Sequence, residues 1–335
     1  MSTLKKAMQV CMGVAFAAAT TLAAADGIKP AVVYDMGGKF DKSFNEAVSK
    51  GLEKFTKDTG IKVREFEPNN ETQFSQAHRK FAQRGFDPII GVGFNQATTV
   101  KDLAPKFKDT HYVLIDSVVD APNVKSILFK EHEGSFLVGM AAALKSKTGK
   151  VGFVGGMDIP LIRKFECGYE QGAKYVNPNI EVFANMTGTT PAAWHDLSRG
   201  AELAKGQFER GVDVIFAAAG ATGLGVYQAA KDAGKYAIGV DSNQNYLHPG
   251  TMLTSMVKRV GVAAYKALDE ARNGKFKPGI EHLGLAENGV DWAVDEYNAS
   301  LITDEMKQKI EQAKKDIVAG KIKVHDYMTN NSCDY

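Results

Sequence analysis

Six short apolar stretches, each followed by a stretch with apolar residues at helical spacing, set the pattern of this chain. The apolar stretches occupy residues 31–35, 88–93, 112–116, 150–156, 213–220 and 236–241. Each one is too short for a buried helix and is typical of a buried strand. Strands that alternate with helices predict an α/β protein whose parallel sheets are covered by helices on both faces.

Three of the predicted strands end on an aspartate. These residues are Asp35, Asp116 and Asp241. In open parallel sheets, ligands bind outside the carboxyl ends of the strands. The three carboxylates therefore indicate one candidate site.

The rest of the chain adds helices and further strands. Residues 133–145 predict a buried helix that opens a second unit, whose strands begin near residues 150, 180, 213 and 236. The later pattern predicts an extended segment at 250–256, a helix at 257–272, strand-like structure at 275–294 and an amphipathic helix at 303–319.

Residues 1–25 have the layout of a cleavable secretory signal peptide. Lys5 and Lys6 precede an uncharged stretch at 7–22, and alanines at 23–25 offer a small-residue cleavage site. The stretch is alanine-rich and shorter than the roughly 20 strongly apolar residues of a spanning helix, which argues against a membrane anchor. Cys11 lies too early for a lipoprotein signal. We therefore expect a soluble protein exported to a periplasm.

Removal of this segment changes the charge and leaves two cysteines. Two of the 41 basic residues are lost, so 39 basic residues face 39 acidic ones, and no basic field remains to attract nucleic acid. The 310 residues left from 335 exceed the size of one core, which predicts two lobes. An oxidising compartment favours a disulfide between Cys167 and Cys333, with two unpaired thiols as the alternative.

Five motifs follow one another along the chain. They begin at Tyr34 (YDMGGKFDKSFN), Glu133 (EGSFLVG), Ala219 (AGATG), Gly239 (GVD) and Leu253 (LTSMVKR). In order and spacing they resemble the basic membrane protein family, the purine-nucleoside receptor type of substrate-binding proteins of ABC transporters. The resemblance covers nearly all of the mature chain. It implies a type I periplasmic-binding-protein fold, in which two Rossmann-like lobes joined by three crossover segments close on a ligand.

The count of strand-helix units indicates the lobe boundaries, and the resemblance implies site residues. We expect lobe I at 26–131 with about 254–285, and lobe II at 132–253 with about 286–335. By resemblance, the ligand-binding residues are Phe44 and Phe216 as stacking aromatics, Asp35, Asn45 and Asp116 on the base side, and Gly220, Asp241 and Lys258 on the ribose side.

The chemistry of these residue types favours a neutral ligand that carries a sugar. Carboxylates at strand ends would repel a phosphate, whereas one carboxylate can accept hydrogen bonds from both hydroxyls of a diol. Two aromatic rings can sandwich a flat base and tolerate its identity. Lys258 is expected to donate to a ribose oxygen or to Asp241, unless it is a solvated helix residue. Trp194 precedes a helix capped by Asp196 and is a further candidate for ligand contact, with simple packing as the alternative.

Other functions fit the sequence less well. The glycine-rich segments lack the spacing of nucleotide-binding loops, and no histidine or cysteine cluster has zinc-site spacing, so no cofactor or metal is expected. A nucleoside hydrolase would need adjacent calcium-binding carboxylates where the chain has Gly37, Gly38 and Lys39. The effector domain of a transcription regulator would need an N-terminal helix-turn-helix.

The sequence therefore predicts a binding protein without enzyme activity. A free sugar or another small polar metabolite stays open as the alternative ligand, because sugar sites also combine aromatic rings with carboxylates. We expect a monomer that docks on inner-membrane permease subunits of an ABC importer and does not bind nucleic acid.

Overall fold

The computed structural model describes residues 27–333, so the predicted signal peptide lies outside the described residues. The strands in this range are β1 Ala31–Val33, β2 Arg64–Phe66, β3 Ile89–Gly91, β4 Tyr112–Ile115, β5 Val124–Phe129, β6 Lys150–Met157, β7 Glu181–Gly188, β8 Val214–Ala218, β9 Tyr236–Asp241, β10 Met252–Lys258, β11 Gly279–Leu283 and β12 Val290–Trp292. The α-helices are α1 Phe44–Thr59, α2 Thr72–Gln83, α3 Ala97–Leu103, α4 Glu131–Lys145, α5 Pro160–Val176, α6 Leu197–Glu209, α7 Gly223–Asp232, α8 Val260–Arg272 and α9 Asp304–Val318.

The strands form two six-stranded sheets. Sheet I has the order β11-β5-β4-β3-β1-β2, and all of its neighbours are parallel. Sheet II has the order β12-β10-β9-β8-β6-β7 and is parallel except for the antiparallel pair β10–β12. The predicted α/β architecture with parallel sheets is confirmed.

Each sheet with its helices forms one lobe, and the chain passes between the lobes at three places. Lobe I contains sheet I, and α8 packs on α1 there; lobe II contains sheet II, and α4 packs on α5, β10, β12 and α9. The crossings follow β5, β10 and β11. We expected the second crossing near residue 254, but β10 pairs with β9 and continues in sheet II to Lys258. Apolar pattern alone does not show which sheet a strand joins.

Side-chain size and capping explain several of these elements. Gly172 lets α5 approach α4, because a Cβ there would lie 1.9 Å from the carbonyl oxygen of Phe136. Asp196 caps α6 by accepting a hydrogen bond from the Arg199 amide at 2.9 Å, as predicted. Thr303 caps α9 in the same way.

Cys167 on α5 is disulfide-bonded to Cys333, with 5.5 Å between the Cα atoms. The bond ties the C-terminal segment to lobe II. Across residues 27–333, no helix is both long and apolar enough to cross a membrane. In the same part of the chain, no group of three or more histidine, cysteine, aspartate or glutamate side chains is arranged to hold a metal ion.

Candidate functional site

A cleft lies between the lobes, where carboxyl ends of strands from both sheets meet. Eight of the nine residues expected to contact ligand line it, namely Asp35, Phe44, Asn45, Asp116, Trp194, Gly220, Asp241 and Lys258. The topology therefore brings together residues that are far apart in sequence.

Phe216 is the exception, because the structure does not bring it to the cleft. It lies in the middle of β8, is fully buried and does not line the cleft. Its ring packs against Phe153 and Tyr169, with centroids 5.6 and 5.4 Å away. Only the end of β8, at Ala218, reaches the cleft. Besides Trp194, lobe II places the aromatic side chain of Phe165 on α5 there, and Phe165 has no signal of its own in the sequence motifs.

On the lobe I wall, Asn45 holds the loop that follows β1. Its Oδ1 accepts a hydrogen bond from the Asp35 amide at 3.0 Å, and its Nδ2 donates to the carbonyl oxygens of Asp35 and Gly38 at 3.2 and 3.1 Å. All of these are bonds to backbone. Asn45 therefore fixes the position from which the Asp35 side chain enters the cleft.

The Asp35 carboxylate is packed closely against the loop after β3. A Cβ on Gly93 would lie 2.3 Å from Asp35 Oδ2, and Gly93 has a φ of 99° that favours glycine. Burial raises the pKa of Asp35 to about 7, although the Met36 amide and the Asn95 side chain donate hydrogen bonds to it. The group is thus partly protonated near neutral pH and can donate as well as accept a hydrogen bond.

Asp41 caps α1, a role that the sequence reasoning missed. Its two carboxylate oxygens accept hydrogen bonds from the amides of Ser43, Asn45 and Glu46 at 2.8, 2.9 and 3.1 Å. The cap orients the first turn of α1, which carries Phe44 into the cleft. The acidic residue just before a predicted helix was the available signal.

A buried ion network joins the lobes beneath the cleft. Lys258 donates to Asp116 Oδ2 at 2.6 Å and pairs with Glu131 at 2.9 Å, and all three side chains are at most 6% exposed. We expected Lys258 to donate to Asp241 or to a ribose oxygen. In the structure, it pairs with Asp116 and Glu131. Burial would lower the pKa of Lys258, but the carboxylates outweigh it and hold the pKa well above its usual value. Within residues 27–333, Asp116 Oδ1 is buried without a hydrogen-bond partner.

Glu131 is the second residue that sequence reasoning missed. Burial would raise its pKa, but the ammonium groups of Lys164 and Lys258 outweigh burial and lower the pKa to about 2. It is the first residue of α4, two residues before the start that we predicted. Its partners lie on other elements far away in sequence, so no local pattern indicates the network.

The lobe II wall is built around Trp194. The six-membered ring of Trp194 packs on Gly156, where a Cβ would lie 2.2 Å from the ring. Gly220, at a φ of 57°, lies against the Trp194 backbone. The indole Nε1 is buried, and no residue in the described range accepts its hydrogen bond. Buried indole N–H groups normally have a partner, so this donor is available to a ligand.

Asp241 joins the lobes at the other side of the cleft. Ser43 of lobe I donates to Asp241 Oδ2 at 2.6 Å. Next to this contact, Ser242 donates to the Ser43 carbonyl oxygen and Gln244 donates to the Lys42 carbonyl oxygen, both at 3.0 Å. Burial raises the pKa of Asp241 to about 6. One oxygen of Asp241 thus holds lobe I, and its carboxylate also lines the cleft.

Comparison with known proteins shows which family has this architecture. Residues 28–327 match the family described as Bmp, ABC transporter substrate-binding protein PnrA-like. The chain belongs to this family. The nucleoside-binding protein BmpA of an ABC transporter from Lactococcus lactis is 33% identical over 320 residues, which cover 89% of each chain. Basic membrane protein D of Borreliella burgdorferi is 35% identical over 278 residues, covering 78% of this chain and 80% of the relative.

A solved structure supports the same assignment. An ABC transporter solute-binding protein from Aeropyrum pernix is 29% identical and matches with a TM-score of 0.81, covering 88% of this chain and 92% of that chain. The type I periplasmic-binding-protein fold is thereby confirmed. The protein is an ABC transporter substrate-binding protein of the Bmp family, which implies a small-molecule ligand and membrane-bound transporter partners. The family is named for substrate binding and not for catalysis.

Proposed function

We propose that this protein binds a nucleoside, and preferentially a purine nucleoside, between its lobes and delivers it to the permease of an ABC importer. One observation carries the proposal. Two buried polar atoms without a partner in the described residues belong to side chains that line the same cleft, the acceptor Asp116 Oδ1 from lobe I and the donor Trp194 Nε1 from lobe II. A nucleobase edge offers both a donor and an acceptor, so it can satisfy them together.

The aromatic and carboxylate groups account for the rest of such a ligand. Phe44 and Phe165 line the cleft from different lobes, and each ring lies within 6 Å of Lys258 Nζ. A base stacked on one ring gains about 1–3 kcal/mol. Asp241 can accept hydrogen bonds from the two ribose hydroxyls while it keeps its contact with Ser43.

The charge of the cleft favours a nucleoside over a nucleotide. Four aspartates, Asp35, Asp41, Asp116 and Asp241, line it together with one cation, Lys258. Lys258 is already paired with Asp116 and with Glu131, so its charge is compensated within the protein. A phosphate would meet a surplus of carboxylates, which repel it.

The relative from Lactococcus lactis, which is named for nucleoside binding, supports the same ligand class. We further propose that the first 25 residues are a cleaved signal peptide and that the mature protein is monomeric and works in the periplasm. The closed form would be stabilised by ligand contacts shared between the lobes and would then dock on the permease.

A ligand panel tests the proposal. Thermal unfolding of the mature protein would be followed with adenosine, guanosine, inosine, cytidine, uridine, AMP, free bases, ribose and glucose, since a ligand bound only by the folded state raises the midpoint. Purine nucleosides should raise it most, and AMP, bases and ribose should raise it little. A shift with glucose or ribose and none with any nucleoside would overturn the nucleoside assignment.

A further inference from the structure

The last residues of the described chain lie against the helix that supplies Phe165 to the cleft. We call residues 325–333 the C-terminal strap. Gln171 on α5 donates to the carbonyl oxygen of His325 at 3.0 Å and accepts from its amide at 2.7 Å. At its far end, the strap is joined to the same helix by the disulfide between Cys333 and Cys167. Two separate attachments therefore fix the strap to α5.

Between these attachments, the strap places one carboxylate on the buried ion network. Asp326 Oδ2 lies 3.5 Å from Lys164 Nζ, and Asp326 Oδ1 accepts a hydrogen bond from the Met328 amide at 2.9 Å. Lys164 Nζ pairs in turn with Glu131 Oε2 at 2.9 Å and donates to the Phe129 carbonyl oxygen at 2.8 Å. Lys164 is 7% exposed, so these protein partners, and not solvent, fix the position of its ammonium group.

The result is a chain of five charges of alternating sign that runs from the strap to the cleft. Its order is Asp326, Lys164, Glu131, Lys258 and Asp116. Glu131 is shared by the two lysines, with Oε1 towards Lys258 and Oε2 towards Lys164. This row of charges runs past two of the places where the polypeptide crosses between the lobes, after β5 and after β10.

We propose that Asp326 is a positioning residue for ligand binding, which acts through Lys164 and Glu131 on the Lys258–Asp116 pair in the cleft. While Asp326 neutralises part of the positive charge of Lys164, the Glu131 carboxylate can pair with Lys258 as well. Without the Asp326 carboxylate, Lys164 attracts Glu131 more strongly, and Asp116 becomes the main counter-charge of Lys258. The Asp116 carboxylate then turns towards Lys258 and away from the ligand.

The disulfide supports the position of Asp326 from the other end of the strap. The disulfide holds the far end of the strap on α5 and so helps to keep Asp326 beside Lys164, together with the bonds between Gln171 and His325. Breaking the Cys167–Cys333 bond should therefore weaken ligand binding through the same ion chain, although both cysteines lie outside the cleft lining. Because the two changes act on one element, their effects should not add.

The test uses the full mature protein and the purine nucleoside that binds the wild type most tightly, with affinity measured by calorimetry; this readout rests on the proposed function. Asp326→Asn should weaken binding about three- to tenfold, and Asp326→Glu should restore most of the loss. Cys333→Ser should weaken it similarly, and the double variant should be no weaker than the weaker single variant. Asp316→Asn, which removes a C-terminal aspartate paired with Lys321 outside the ion chain, is the matched control.

Wild-type affinity in Asp326→Asn, an equal loss in the Asp316→Asn control, or additive losses in the double variant would overturn the proposal. If the wild type binds no nucleoside, the proposed function fails, and the ion chain is then tested without ligand. In thermal unfolding, the midpoint shifts of Asp326→Asn and Asp116→Asn should be non-additive, since both act on one network. Additive shifts would overturn the positioning role independently of the ligand.

Discussion

The lobe I wall of the cleft carries most of the polar side chains and is held by hydrogen bonds, whereas the lobe II wall is mostly apolar and held by packing. Asp35 and Asn45 on lobe I are fixed by bonds to backbone groups. Phe165 and Trp194 on lobe II are fixed by the residues on which they pack, and Asp241 is the one carboxylate among the lobe II residues that line the cleft. Directional bonds select a ligand by its pattern of donors and acceptors, while apolar surface excludes water. We therefore expect lobe I to contribute more to specificity, and lobe II to contribute closure.

The largest expected effect comes from Lys258, the charge that links the two walls. Lys258→Met leaves Asp116 buried without its cation, and breaking such a pair costs about 3–5 kcal/mol of unfolding free energy. Urea denaturation at pH 7 measures the loss. Lys266→Met, which removes a lysine more than half exposed, should cost less than about 1 kcal/mol. An equal loss of unfolding free energy in both variants would show that the Lys258–Asp116 pair stabilises the protein no more than an exposed ion pair does.

The next effect concerns the pH dependence that the lobe I wall introduces. Burial raises the pKa of Asp35 from 3.8 to about 7, so the folded state binds this proton more tightly than the unfolded state does. The stability that the protonated group contributes is present below pH 4 and is lost as the pH rises through 7. Asp35→Asn cannot ionise, so the ligand-free variant should be about 2–4 kcal/mol more stable than the wild type at pH 8.

Denaturant unfolding from pH 4 to pH 8 checks this prediction. The advantage of Asp35→Asn should grow with pH and level off above about pH 7. Asp120→Asn, an exposed aspartate of the same lobe, is the control. A constant difference in unfolding free energy between Asp35→Asn and the wild type across this range would mean that ionisation of the Asp35 carboxyl does not cause the pH dependence of stability.

A smaller effect is expected from the aromatic residue of lobe I. Phe44→Ala removes a ring that lines the cleft, and loss of one stacking contact should weaken nucleoside affinity about 10- to 100-fold. Phe40→Ala removes a ring from the loop before α1, and this ring is 70% exposed and lies outside the cleft lining. Calorimetry should find wild-type affinity in this control. Equal affinity in both variants would remove Phe44 from the site.

The smallest effect separates two aromatic residues of lobe II. Phe216→Leu should leave nucleoside affinity within about twofold of the wild type, because the Phe216 ring contacts only the core, whereas Phe165→Leu should weaken it more. Both variants should lose stability, so affinity is measured well below their melting temperatures. A greater loss of affinity in Phe216→Leu would contradict the assignment of Phe165 to the cleft.

These residues show how far the sequence predicts the site. Asp35, Asp116 and Asp241 lie at or just after the ends of strands, and the carboxyl ends of parallel strands meet, so their convergence follows from pattern alone. The place of Phe216 does not follow from the sequence pattern, because every residue of β8 is buried and an apolar strand does not show which ring reaches the cleft. Glu131 was missed because its two lysine partners lie 33 and 127 residues further along the chain. Ion pairs between residues that are far apart in the sequence leave no local pattern.

The crystal structure of the protein bound to inosine tests the division between the two walls most directly. We predict that the base stacks on Phe44, that a base N–H lies about 3 Å from Asp116 Oδ1, that Trp194 Nε1 donates to the base or sugar, and that the ribose hydroxyls contact Asp241. A ligand whose polar contacts all come from lobe II, with Asp35, Asn45 and Asp116 untouched, would contradict the expectation that lobe I contributes more to specificity.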